Sequence, residues 1–162
     1  MPDPRPAPEY GFGRPATEAE IKAWNVEVAP NGEGLPPGRG TVKAGATVFA
    51  KKCASCHGAT GKEGPMPQLV GGQGTLATDR PVRTVGSYWP YATTLYDYVA
   101  RAMPYQAPGS LQPDEVYALV AWILFQNGIV TEDTVMDART LPTVRMPNRH
   151  GFVSDPRPDV AK

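Results

Sequence analysis

Cys53-Ala54-Ser55-Cys56-His57 is the most informative stretch of this chain, because it contains both of the cysteines in the sequence. The two thiols lie three positions apart, and one of the chain's two histidines follows directly. Cysteines that form disulfides in secreted domains usually close larger loops than this. The pair therefore indicates a use of the thiols other than a disulfide.

Three kinds of site use two closely spaced cysteines: a thioredoxin-like dithiol, half of a zinc site and the attachment point of a c-type haem. A dithiol would lie between a strand and a helix, and no strand pattern precedes Cys53. A zinc site needs a second ligand pair, yet His150 has no cysteine near it. In Cys-x-x-Cys-His the thiols add to the haem vinyl groups and the histidine binds iron. We therefore predict one covalent haem c held by Cys53, Cys56 and His57, and single-electron transfer as its role.

Length and composition describe an ordinary globular protein. The 162 residues are enough for one domain with a core. Sixteen basic residues balance sixteen acidic ones, which argues against a nucleic-acid binder because such proteins need a basic excess. No apolar run approaches the roughly 18 residues of a membrane span.

The expected location follows from the haem prediction. Residues 1–8 carry no apolar stretch, so they are not a secretory signal. The chain is either cytoplasmic or the mature form of an exported protein, and haem attachment favours a periplasmic protein whose signal has been removed.

The chain divides into three zones. Residues 1–40 hold eight of the nineteen prolines and form a proline-rich N-terminal arm. One short helix is predicted there, from Glu18 to Trp24 with Thr17 as its cap and with Trp24 packed on the main domain; a loose tail is the alternative. Residues 41–130 form the haem domain, and residues 131–162 form an irregular C-terminal arm whose Met136 and Met146 serve as apolar anchors.

Three main helices are predicted in the haem domain, which makes the fold class all-α. Apolar residues recur at helical spacing over 42–52, 93–102 and 113–126. The last helix has the strongest end signals. Pro113 suits its first position, and Asn127-Gly128 provides the stop.

The second iron ligand has two candidates. Met103 ends the predicted second helix and is followed by Pro104, which places it opposite His57, and it is the favoured ligand. Met66 lies so close to the haem motif that it would have to cross the porphyrin edge within a few residues. For Met136 and Met146 we favour simple core packing.

An aromatic cluster, Tyr88-Trp89-Pro90-Tyr91, precedes the second helix. We expect Tyr88 and Trp89 to form a wall of the haem pocket, although ordinary core packing gives the same pattern. Arg83 and Arg80 are candidate partners of the haem propionates, since guanidinium groups pair well with carboxylates. Solvated arginines are the alternative.

The haem domain resembles the class I cytochromes c. The match rests on Gly-x-x-x-Phe before the haem motif and Gly-Pro after it, carried here by Gly45, Phe49, Gly64 and Pro65. The resemblance implies that the Pro65 carbonyl accepts the Nδ1 proton of His57 and that Gly45 meets the last helix near Trp122. A Met-Pro such as Met103-Pro104 is the family's usual distal ligand.

Longer runs resemble one branch of that family, the haem subunits of Sox-type sulfane dehydrogenases. The runs are 13–17, 71–76, 79–82, 84–94, 146–149 and 151–152. The resemblance implies a partner among the molybdenum enzymes of the sulfite oxidase family and a downstream cytochrome as electron acceptor. The familiar subunit has two haem domains, whereas this chain has a single haem motif. Two alternatives remain open: a freely diffusing carrier without a dedicated partner, and a haem enzyme with an open sixth site.

Overall fold

Five helices and two short strands make up most of the regular structure of residues 12–155, the part of the chain that the computed structural model describes. In chain order the elements are α1 Glu18–Trp24, β1 Arg39–Thr41, α2 Val42–Lys52, α3 Ala54–His57, α4 Ala92–Ala102, α5 Pro113–Gln126, β2 Val135–Asp137 and a 3-10 turn at Leu141–Thr143. The all-α prediction is confirmed. The helices predicted at 42–52 and 113–126 have the expected bounds, and the one predicted at 93–102 begins one residue earlier.

The central element is α5, which is buried on every side. Nine consecutive residues, from Val116 to Leu124, are buried, as expected of a helix that is apolar all round. Its start is fixed by Pro113 in the first turn and by a capping box, in which the Gln112 N–H donates to Glu115 Oε2 at 3.0 Å. Gly128, with φ +68°, follows its end. Among residues 12–155 no helix has the length and apolar character needed to cross a bilayer.

α2 crosses α5 at a glycine, as the sequence predicts. A Cβ at Gly45 would lie 1.9 Å from the Ala118 carbonyl oxygen and 2.7 Å from the Trp122 Cβ. One turn later, the rings of Phe49 and Trp122 stack with centroids 4.0 Å apart. The missing side chain at Gly45 therefore lets the two helices approach closely enough for this aromatic contact.

We expect Gly45→Ala to lower the free energy of unfolding by about 1–3 kcal/mol or more, because the added methyl group must push α2 away from α5. Denaturant unfolding of the variant measures this loss. Ala46→Gln is the matched control, because Ala46 is exposed on the same helix and should change stability by no more than about 0.5 kcal/mol. Equal midpoints for the two variants would show that the helix crossing tolerates a Cβ.

The N-terminal segment has two parts with different packing. Residues after 27 are tied to the core: the Val28 N–H donates to Asp97 Oδ1 at 3.0 Å, and the Tyr117 hydroxyl donates to the Pro36 carbonyl at 2.8 Å. Before them, α1 forms as predicted, with a capping box between Thr17 and Glu20, yet none of its residues is buried. The prediction that Trp24 packs on the main domain is wrong, because its side chain is 87% exposed.

The C-terminal segment is anchored by buried side chains. Met136, Leu141 and Met146 are buried, which confirms that the two methionines fill the core. Met136 lies in β2, which pairs antiparallel with β1 in the register Gly40 to Met136. This small sheet was not predicted, because strands of three residues are too short to show an alternating pattern.

Candidate cofactor site

The haem motif follows α2 directly and forms its own helical turn. The Cys53 N–H still bonds to the Phe49 carbonyl of α2, at 2.9 Å, while the Cys53 carbonyl accepts from the His57 N–H at 3.0 Å. Gly58, with φ +79°, ends α3 directly after the histidine. The two cysteines and His57 are therefore held on one turn of helix whose start is continuous with the packed α2.

A cavity of about 490 Å³ adjoins this turn, within the range of about 300–1,000 Å³ that is usual for ligand sites. Its apolar wall comes from three helices and includes Phe49, Leu95, Val99, Leu119 and Ile123. Six of the predicted site residues also line it: Cys53, Cys56, His57, Arg83, Trp89 and Met103. Pro65 and Tyr88 do not line it.

The His57 ring is oriented by Pro67 and not by Pro65. Its Nδ1 lies 3.0 Å from the Pro67 carbonyl oxygen, and since a carbonyl can only accept, the ring proton is on Nδ1 and Nε2 is left as the ligating nitrogen. The prediction of Pro65 is wrong by two residues. Gly64 passes so close to Cys56 that a Cβ there would lie 2.0 Å from the Cys56 carbonyl oxygen, and after this tight turn it is the Pro67 carbonyl that lies within hydrogen-bond distance of the His57 ring.

The environment of Cys53 disfavours a dithiol enzyme. Burial raises the pKa of the Cys53 thiol to about 11, an effect that the nearby Lys52 charge offsets only in part. Dithiol oxidoreductases depend on a thiol whose pKa is lowered. The Cys53 thiol is therefore protonated at neutral pH, and its position in the cavity wall suits covalent attachment better than disulfide exchange.

The aromatic cluster is split between the cavity and the surface. Trp89 lines the cavity and meets the Tyr98 ring edge-on, with centroids 5.6 Å apart. The prediction for Tyr88 is wrong: its ring lies outside the cavity against Phe152, with the Arg83 guanidinium 5.7 Å from its centroid. Consecutive residues of this turn point in different directions, which the sequence pattern did not reveal.

Of the two arginines predicted to pair with the haem propionates, Arg83 lines the cavity. Arg80 is exposed and does not line it.

Both methionine candidates for the second ligand line the cavity. Met103 follows the last residue of α4 and its N–H bonds to the Val99 carbonyl at 3.2 Å, so its backbone is held by the helix. Met66 is 51% exposed, while Met103 is partly buried against the core. The backbone N–H of Met66 is bonded as well, to the Cys56 carbonyl at 3.0 Å, so it is burial that favours Met103.

Several lining residues were missed from the sequence, among them Tyr98, Tyr105, Gln68 and Gln106. Tyr98 belongs to the apolar stripe of α4, so its helical spacing was a usable signal. The other three lie in loops, where no periodicity exists. Taken together, a mostly apolar cavity with two thiols, an oriented imidazole and a thioether fits a haem group.

Comparison with known proteins supports the same interpretation. The family model "Cytochrome c" matches residues 42–126. A chain in the crystal structure of the sulfane dehydrogenase SoxCD from Paracoccus pantotrophus is 47% identical to this chain, with a TM-score of 0.82. That match covers 91% of this chain and 73% of the other. Among curated protein sequences nothing matches significantly.

Proposed function

The chain belongs to the cytochrome c family, and from this premise we propose that it is a periplasmic monohaem cytochrome that accepts electrons from a molybdenum dehydrogenase oxidising sulfur compounds. Family membership makes it a haem-binding electron-transfer protein and not an enzyme. The observation that carries the rest of the proposal is the 47% identity to a chain of a sulfane dehydrogenase.

The residues around the cavity have distinct roles in this proposal. Cys53 and Cys56 would attach one haem through two thioethers, and His57 would bind the iron through Nε2 while Nδ1 donates to Pro67. Met103 would be the second iron ligand, and Arg83 would pair with a propionate. When bound, haem supplies a one-electron couple. The apolar side chains of α2, α4 and α5 exclude water from it.

The N-terminal arm supports a dedicated protein partner. Phe12, Ile21, Trp24 and Val26 are all more than half exposed. A seven-residue helix is marginal in water without packing, yet α1 carries a capping box and an ion pair between Arg14 and Glu20. The exposed Ile21 and Trp24 side chains of this helix would be buried if a partner protein bound there.

The comparison supports one choice of partner for this arm. Residues 26–162 are 137 of the 162 residues, so a match over 91% of the chain must reach into the segment before residue 26. Part of the arm is therefore also present in a chain of the SoxCD assembly. In this proposal the arm binds the molybdenum subunit. Electrons would then leave to a downstream cytochrome.

We expect the protein, expressed with a cytochrome c maturation system, to carry one covalent haem. Intact-mass measurement should show the polypeptide plus one haem, and the haemochrome spectrum should show both vinyl groups saturated. Cys56→Ala should retain one unsaturated vinyl group, whereas Ser55→Ala, between the two cysteines, should mature normally. A colourless product with two alkylatable thiols would refute the proposed function.

A further inference from the structure

Asn127, which follows the last residue of α5, carries a buried side chain with several hydrogen bonds. Its Oδ1 accepts from the Gly71 N–H at 3.0 Å, and its Nδ2 donates to the carbonyls of Leu69 and Ile123 at 3.2 and 2.9 Å. The residue is 9% exposed. A helix stop needs none of the bonds to residues 69 and 71, so this amide does more than end α5.

The two bonds to Leu69 and Gly71 act on the loop that orients His57. That loop is tied at its start, where the Met66 N–H donates to the Cys56 carbonyl at 3.0 Å. Pro67, whose carbonyl faces the His57 ring, lies between this tie and the bond from Asn127 to Leu69. The Pro67 carbonyl is therefore held from both sides. On its C-terminal side the Leu69 N–H donates to the Gly61 carbonyl at 2.8 Å, and Asn127 adds the bonds to the Leu69 carbonyl and the Gly71 N–H.

A second loop closes around the same amide. A Cβ at Gly86 would lie 2.1 Å from Asn127 Oδ1, so this loop also packs directly on the side chain. The Thr84 hydroxyl donates to the Gly71 carbonyl at 2.5 Å, and Thr84 lines the cavity. Asn127 thus lies between two cavity-forming loops that are bonded to each other.

We propose that Asn127 is a positioning residue for the axial ligand: it fixes the loop at residues 69–71 and thereby holds the Pro67 carbonyl against His57 Nδ1. This inference rests on the proposed role of His57 as an iron ligand. A hydrogen bond from Nδ1 makes the imidazole a stronger donor to the metal, which favours the oxidised form of a haem. Loosening that bond should raise the midpoint potential.

The test compares the matured full-length protein with Asn127→Ala. We expect the midpoint potential of the variant to rise, and the His57 Nδ1 proton of the reduced protein to exchange faster with solvent by NMR. Asn127→Ser is the milder variant, since its hydroxyl can still bond to the Ile123 carbonyl but cannot reach Leu69. It should show both effects with a smaller loss of stability.

Two control variants separate positioning from general destabilisation. Gln73→Ala removes the bonds from Gln73 Nε2 to the Asn127 carbonyl at 3.0 Å and to Asn127 Oδ1 at 3.5 Å, and it leaves the bonds of Asn127 to Leu69 and Gly71. Met136→Ala makes a cavity in the core away from the haem site. Both should leave the potential and the proton exchange unchanged, the second despite a lower melting temperature. If Asn127→Ala and Asn127→Ser keep the wild-type potential and exchange rate in a haem-loaded protein, the inference is wrong while the proposed function stands.

Discussion

Replacing Met103 by alanine should abolish the near-red absorption band that arises from a thioether sulfur bound to ferric iron. The potential should fall as well, because a thioether raises the potential of a haem relative to other axial ligands. Axial ligands set haem potentials over about 0.8 V, so the change should be among the largest that one substitution can cause here. Absorption spectra of the oxidised protein and redox titration measure both effects.

Met66→Ala is the matched control, since both methionines line the cavity. Met66 is 51% exposed and lies on the loop whose Pro67 carbonyl orients His57. Removal of the Met66 side chain should therefore leave the near-red band intact. Loss of the band in Met66→Ala, with retention in Met103→Ala, would reverse the ligand assignment.

The second large effect is expected at the N-terminal arm, where Ile21→Asp combined with Trp24→Asp should weaken binding to the molybdenum subunit. Large aromatic side chains at the centre of an interface often contribute about 2 kcal/mol or more each. We therefore expect at least a ~30-fold increase in the dissociation constant. Binding of the matured variant to the purified partner subunit from the native host measures this.

The arm variant should leave the cytochrome itself intact, because α1 buries none of its residues. Its spectrum, potential and melting temperature should equal those of the wild type. Lys22→Ala, on the same short helix, is the control for a substitution that leaves the apolar side chains in place. Undiminished binding by the double variant would show that the arm does not hold the molybdenum subunit, and absence of any binding by the wild type would favour a freely diffusing carrier.

Local signals made much of the fold predictable. The periodicity of α2 and α4 indicates which face of each helix is apolar, whereas α5 is recognised by its continuous apolar run, and Pro113 and Asn127-Gly128 mark its ends. Gly45 was informative because a glycine inside a helix is costly unless a close contact requires it. The contact with Ala118 and Trp122 is that requirement.

Loops explain most of the wrong predictions. Pro65 and Pro67 are two residues apart, and which carbonyl reaches His57 depends on how tightly Gly64 turns past Cys56. Tyr88 and Trp89 are adjacent, yet one lies outside the cavity and the other lines it. Neither difference has a counterpart in periodicity or composition.

The sequence by itself determined the chemistry and the helices, because a haem motif is a contiguous pentapeptide and an amphipathic helix repeats every 3.6 residues. Only the tertiary structure decided which carbonyl orients His57, which aromatic ring meets the cavity and that Asn127 ties the loop at residues 69–71 to the end of α5. Those outcomes depend on contacts between residues up to 64 positions apart, as Tyr88 and Phe152 are. Contacts of that kind arise from packing and leave no local pattern in the chain.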